Sequence, residues 1–222
     1  MSSVKLVSYS KPTSEFDNKV ENVQDLIAFC ARVSNPSNQM NQETNEKLIK
    51  YLIKHQHWSP LEMVNACLEI NTTRDIAHQI VRHRSFSFQE FSQRYANPEE
   101  MGDMFTLSEA RLQDTKNRQN SIEVNDTWLQ SEWDKAQQNV VLASEVAYNW
   151  ALKNGIAKEQ ARKVLPEGLT KTRLYMNGTL RSWVHYIELR SANGTQKEHM
   201  EIAKQCAVVI AGIFPLIDAI KN

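Results

Sequence analysis

A chain of 222 residues can close one substantial hydrophobic core, and its 26 basic residues are balanced by 26 acidic ones. No global field therefore draws it to DNA, RNA or an anionic membrane, and any phosphate site must be local. No apolar run approaches the roughly 20 residues of a membrane span, and the opening Met1-Ser2-Ser3-Val4-Lys5 lacks the apolar stretch of a secretion signal, which predicts a cytoplasmic protein.

Val4 to Ser8 reads as a short strand and Val23 to Val33 as a helix with Leu26, Ile27 and Cys30 on one face. The polar Asn35 to Gln39 is a turn. A second helix runs from about Gln42 to Gln56, with Leu48, Tyr51, Leu52 and His55 at helical spacing, and His57-Trp58-Ser59-Pro60 stops it. His55, His57 and Glu62 are metal-ligand types. Aiming both imidazoles alike would require an extended backbone, however, and His55 falls in the helix. Val64 to Asn71 alternates strictly, as a half-buried strand does. Thr73 is placed to cap the next helix, in which Ile76 and Ile80 form one stripe and Gln79 and Arg82 lie three apart. That helix is expected to deliver Gln79, Arg82 and His83 together.

Between Arg82 and Tyr95, three arginines, a histidine, a carboxylate and four aromatic rings fall within fourteen positions. The arginine fork grips phosphate or carboxylate in bidentate fashion, and interleaved rings can stack on a flat heterocycle, so the pattern suits an anionic aromatic ligand such as a nucleotide or a flavin. Arg82 to Arg84 close the helical pattern, while Phe86 and Phe88 alternate with Ser87 and Gln89 like extended chain. Such a junction is where ligand-binding residues are displayed. The plainer reading is an amphipathic segment whose arginines pair with neighbouring acids and whose phenylalanines face the core. Two rival functions use the same residues. A single-stranded RNA-binding module would employ Arg82, Arg84 and Arg94 with Phe86, Phe88, Phe91 and Tyr95, against which the zero net charge argues. A metal-dependent hydrolase would need His57, Glu62 and His83.

Asn97-Pro98-Glu99-Glu100 is a turn, and Gln113 to Asn125 is polar with little periodicity, expected to be mobile or ordered by a partner. From Asp126 to Asn154 the positions Leu129, Trp133, Ala136, Val140, Ala143, Ala147 and Trp150 step by four and three, predicting the longest helix, with Gly155 as its stop. Lys158 to Val164 ends at Leu165-Pro166, Leu169 to Met176 is a strand candidate, and Asn177-Gly178 a turn. A helix with Leu180, Trp183, Val184 and Ile187 inward follows, then a last one from Gln196 to Phe214 with Ile202, Cys206, Val209 and Ile213 on one face. Cys30, Cys67 and Cys206 are far apart and lack the paired spacings of a zinc site or disulfide framework, so they read as small core residues in a reducing compartment. No repeat or linker divides the chain. The expectation is one α+β domain over 1–222, a small, mostly antiparallel sheet packed against several helices including one long one.

Arg82-His83-Arg84, seven residues and then Ser92 resembles the signature of the flavin-dependent thymidylate synthases, and Gln79 and Arg94 fall at matching positions. His57-Trp58-Ser59-Pro60-Leu61-Glu62 resembles the family's His-x-Ser/Thr-Pro-x-Glu motif, and Cys30-Ala31-Arg32-Val33-Ser34 and Ala161 to Pro166 resemble further family segments. Arg181, His185, Arg190, Gln196 and Glu198 match as well, although Gly194 stands where some members have a histidine. The resemblance implies FAD held by Ser59, Arg82, His83, Arg84, Glu90, Arg181 and His185. It implies dUMP held by Gln79, Arg82, Glu90, Ser92, Gln93, Arg94, Arg162 and Arg190, with Arg190 catalytic at the pyrimidine. Methylenetetrahydrofolate would donate the carbon, NADPH would reduce the flavin, and a homotetramer would share its active sites, with no metal, nucleic acid or membrane involved. The residue types suit that chemistry: Arg94, Arg162 and Ser92 offer cations and a hydroxyl to a phosphate, and a cation beside N3 and O2 of uracil stabilises developing negative charge. With six glycines and no Rossmann fingerprint, the chain would hold flavin by side chains. No cysteine lies in an electropositive setting that would make it a nucleophile.

Overall fold

The alternation read at Val64 to Asn71 becomes the second strand of a four-stranded sheet in a computed structural model that describes residues 2–16 and 20–220, Met1 of the opening stretch lying outside them. The six strands are β1 (Ser3–Tyr9), β2 (Asn65–Thr73), β3 (Phe86–Glu90), β4 (Arg111–Gln113), β5 (Ser121–Glu123) and β6 (Lys171–Thr179). The sheet order is β1-β2-β6-β3, every pair antiparallel. Ala66, Leu68, Ile70 and Thr72 of β2 and Thr172, Leu174, Met176 and Gly178 of β6 point to one buried face.

The strand β6 runs through Asn177 and Gly178, where a turn was expected. Gly178 pairs with Phe86 of β3, and a Cβ there would lie 2.4 Å from the Phe86 ring. The glycine is in the strand to admit that ring, not to bend the chain. Phe86 thereby packs edge-on against Trp183 and Tyr186, with ring centroids 4.8 and 5.9 Å away.

Among the described residues seven α-helices join these strands: α1 (Val23–Ala31), α2 (Asn45–Lys54), α3 (Arg74–Ile80), α4 (Thr127–Lys153), α5 (Lys158–Ala161), α6 (Leu180–Ser191) and α7 (Lys197–Ala211). The helices α3, α6 and α7 bury Ile76, Ile80, Trp183, Val184, Ile202, Cys206 and Ile210 in one core with the sheet face. Each such large apolar side chain contributes about 1.5–3 kcal/mol by leaving water. The sheet pins α6 directly, because the Trp183 indole N–H donates to the Ala66 carbonyl at 3.0 Å. Thr73 occupies the N-cap position of α3, but its hydroxyl donates to the Asp75 carboxylate instead of accepting a backbone N–H.

The middle of the chain holds two features that its sequence pattern does not reveal. The helix α4 exists, capped by Asp126, yet the apolar stripe read from its sequence faces outward: Trp133 is 43% exposed, Val140 48% and Trp150 61%. The face it buries carries Gln137, Ser144, Tyr148 and Ala151. Backbone hydrogen bonding decides the rotation. The Gln137 carboxamide accepts from Ser108 N–H and donates to the Ser108 carbonyl, and Gln130 accepts from Ala110 N–H, partnering an extended segment that has no strand beside it. The polar stretch from Gln113 is ordered as well. It is the β4–β5 hairpin, whose turn is closed by the Asp114 carboxylate accepting from Lys116 and Asn117 N–H. Arg111 to Glu198 and Lys197 to Glu123 dock it on α7. Strands of three residues held by charges carry no periodic apolar signal. Among the described residues no helix is long and apolar enough to cross a membrane.

Candidate functional site

The arginine-rich stretch straddles the end of α3. The last helical bond runs from Val81 N–H to Ala77, after which His83 N–H to Ile80 and Phe86 N–H to His83 turn the chain into β3. Arg82 to Arg84 thus lie outside the helix they were expected to close. The turn separates them: His83 points inward with Gln79, while Arg82 and Arg84 are exposed and, among the described residues, have no ion-pair partner. Phe86 and Phe88 are partly buried against the core, which removes two of the rings an RNA-stacking surface would need.

Beneath the turn lies a buried polar cluster. Arg190, in the last turn of α6, donates through Nε to His83 Nε2 at 2.9 Å. An accepting Nε2 means a neutral imidazole with its proton on Nδ1. Burial, reinforced by the Arg190 charge, lowers the His83 pKa to about 4. With Nε engaged, the two terminal nitrogens of Arg190 remain for a ligand. The His83 ring stands edge-on to Tyr186 at 4.9 Å. The Tyr186 hydroxyl lies 3.1 Å from His199 Nε2, His199 Nδ1 is 3.3 Å from the Gln79 oxygen, and Gln79 Nε2 donates to Gln196 at 2.7 Å. His199 is fully buried, and burial, with Arg190 and His83 nearby, also lowers its pKa to about 4. Burial raises the Tyr186 pKa in turn. Sequence reasoning missed Tyr186 and His199. The available signal was a histidine opening the stripe that continues as Ile202, Ala203, Cys206 and Ile210 on α7.

A second group gathers where α6 begins. Arg181 is ion-paired with Glu62, His185 stands edge-on to Trp58 at 4.6 Å, and Ser59 follows as an exposed residue opening a 3-10 turn, Ser59–Met63. The Ser182 hydroxyl donates to the Ser85 carbonyl at 3.2 Å, joining this edge to the arginine turn. With Glu62 on Arg181 and His83 on Arg190, the trio required for a hydrolase metal is not assembled. Among the described residues no group of three His, Cys, Asp or Glu side chains could hold a metal.

A third group lies past β3. Glu90 accepts from Arg74 at 3.3 Å and from the Thr172 hydroxyl at 2.9 Å. Ser92 is partly exposed, and Gln93 is buried with its amide nitrogen unpartnered among the described residues. Arg94 lies 3.7 Å from Glu159 of α5, Lys158 donates to the Tyr95 carbonyl, and Arg162 opens the 3-10 turn that follows. Arg94 and Arg162 are therefore in adjoining segments. The strand β3 separates this group from the Arg82 turn by on the order of 13 Å at ~3.3 Å per residue. Clefts of about 330, 510 and 400 Å³ are lined instead by residues such as Lys171, Lys197 and Thr73, by Arg111, Arg118 and Gln196, or by Trp133, Val140 and Gln196. The nominated residues, exposed or half-buried except for the buried Gln93, line none of these clefts.

Three comparisons bear on this arrangement. A family model described as thymidylate synthase complementing protein matches residues 17–216. A probable flavin-dependent thymidylate synthase of Paramecium bursaria Chlorella virus 1 is 49% identical, covering 97% of this chain and 96% of the relative. The flavin-dependent thymidylate synthase of Synechocystis sp. PCC 6803 is 46% identical over 97% of each. The crystal structure of the UMP/dUMP methylase PolB from Streptomyces cacaoi, bound with 5-Br dUMP, superposes with a TM-score of 0.82 over 99% of this chain and 94% of that one, at 24% identity.

Proposed function

This chain belongs to the flavin-dependent thymidylate synthase family, and from that premise we propose how its side chains divide the work of methylating dUMP to dTMP, with methylenetetrahydrofolate as carbon donor and NADPH as reductant. The observation that carries the assignment is the Arg190–His83 pair. A guanidinium held through Nε by a neutral, half-buried imidazole presents its terminal nitrogens in a fixed direction at no reorganisation cost, which suits a pyrimidine that gathers negative charge at N3 and O2. Arg94, Arg162 and Ser92 hold the phosphate, with Gln79, Arg82, Glu90 and Gln93 completing the nucleotide contacts.

The donor set fits FAD. Arg82 and Arg84 are exposed cations without acidic partners, and Ser59, Arg181 and His185 lie along one edge with the Trp58 ring. Such a set grips a pyrophosphate and flanks a planar ring without a glycine loop. When bound, the flavin supplies the hydride that completes the methyl group. A protein thiolate is then unnecessary, and burial raises the pKa of Cys30, Cys67 and Cys206 alike.

Separation of the arginine turn from the Ser92–Arg94 group favours sites shared between copies, one chain lending its Arg190 face and another its Arg94 end. The outward stripe of α4 supplies an apolar surface for such assembly, and a homotetramer satisfies both. Its free cysteines suit a cytoplasmic location. The test is direct: protein purified with FAD should show flavin absorbance and form dTMP from dUMP, methylenetetrahydrofolate and NADPH. Absence of flavin absorbance together with no calorimetric FAD binding would refute the assignment.

A further inference from the structure

The polar cluster beneath the arginine turn is directional. The Gln79 Oε1 atom can only accept, so His199 Nδ1 carries a proton, His199 Nε2 is an acceptor, and the Tyr186 hydroxyl donates to it. The Gln79 amide nitrogen then donates onward to Gln196. Hydrogen bonds thus run Tyr186 to His199 to Gln79 to Gln196, stitching α6, α7 and α3 together. Reversing the Gln79 amide would demand the opposite tautomer of His199 and a turned Tyr186 hydroxyl, which has no other hydrogen-bond partner among the described residues. Every member is neutral and buried or half-buried, so the loss of one bond is not made good by water.

We propose that His199 is a positioning residue for the nucleotide site: it fixes the amide of Gln79, holds the Tyr186 ring under His83, and through His83 sets the direction in which Arg190 presents its terminal nitrogens. His199 is fully buried and, among the described residues, hydrogen-bonds only Gln79 and Tyr186, so it reaches the ligand face through these neighbours. The inference rests on the reading that Gln79 and Arg190 face dUMP. It assigns to α7 a part in the site that the arginine motif does not reveal.

The test uses the FAD-loaded protein and three substitutions. His199→Leu removes both bonds, His199→Gln retains one donor and one acceptor, and Tyr186→Phe breaks the chain at its first donor with little change in volume. For His199→Leu and Tyr186→Phe the expected result is weaker dUMP binding and a higher dUMP KM, each by a factor of about ten, the loss of one oriented hydrogen bond. FAD affinity should stay within about twofold, and His199→Gln should recover most of the dUMP affinity. Thermal melting separates this from loosening of the core. If dUMP binding per folded, flavin-loaded molecule is unchanged while melting falls, or if FAD and dUMP affinities fall in parallel, the positioning role is overturned. Should His199→Leu fail to fold, Tyr186→Phe decides the matter by the same two affinities. A wild-type protein that binds no FAD would sink the functional reading itself, whereas an active wild type with unmoved variants would sink only this inference.

Discussion

The layer formed by α3, α6 and α7 carries polar side chains into its interior, whereas α4 carries tryptophans and valines on its outside. Both depart from the usual sorting, in opposite directions, and the difference lies in where the compensation comes from. Gln79, Tyr186, His199 and Gln196 satisfy one another within a single chain, so that interior is complete as it stands. Trp133, Val140, Val146 and Trp150 have no such partners in one chain, and water opposes their exposure. One region is finished by folding. The other leaves an apolar face that the proposed assembly would cover.

The comparison breaks most sharply at Arg190, where the self-satisfied cluster meets the proposed nucleotide site. Arg190→Ala should lower dTMP formation by about 10²-fold or more while FAD stays bound, since the charge it supplies is needed in the transition state. Loss of flavin with normal dUMP affinity would move Arg190 to the cofactor. On the other side of the comparison, Val146→Glu with Trp150→Glu should leave helix content intact and dissociate the proposed tetramer in light scattering, with turnover falling as the proposed shared sites separate. A variant that remains tetrameric would show that the stripe is not the interface, and a fully active monomer would exclude shared sites.

Smaller effects test the interior. His83 and His199 stay neutral in the fold to about pH 4, against an ordinary value of 6.5. Between those values the unfolded chain binds more protons, so stability rises with pH and falls as pH drops from 6.5 towards 4. The melting temperature should follow that direction, with a shallower slope in His199→Gln. An unchanged slope in the variant would mean that His199 titrates normally. The smallest effect on activity belongs to the thiols. Replacing Cys30, Cys67 and Cys206 together by alanine should cost on the order of 1 kcal/mol or more per buried site. Turnover per folded molecule should be kept, and its abolition by any single one of these changes would restore a thiolate route.

Local pattern was enough for much of this. The strict alternation at Val64 to Asn71, the inward set Leu180, Trp183, Val184 and Ile187, and the capped length of α4 each follow from periods of 2 and 3.6 that neighbouring residues impose on one another. The arginines and rings interleaved over Arg82 to Tyr95 marked the candidate site by residue type, although Phe86 and Phe88 pack against the core. Reading failed where the deciding partner is distant in sequence. Gly178 looks like a turn until Phe86, from another strand, fills the space its missing side chain leaves. The outward rotation of α4 depends on carbonyl and N–H groups at Ser108 and Ala110 that no helical wheel contains.

By itself, the sequence determined most of the elements, the α+β class and the family chemistry, all of which rest on short-range spacing and side-chain type. Only the tertiary structure decided which way α3's end turns, pointing the half-buried His83 inward and Arg82 and Arg84 to the surface, and that the ring of His199, 116 positions from His83, lies 6.3 Å from the His83 ring. Those outcomes depend on satisfying buried donors and acceptors across three helices at once, a condition that exists only when the helices are packed together.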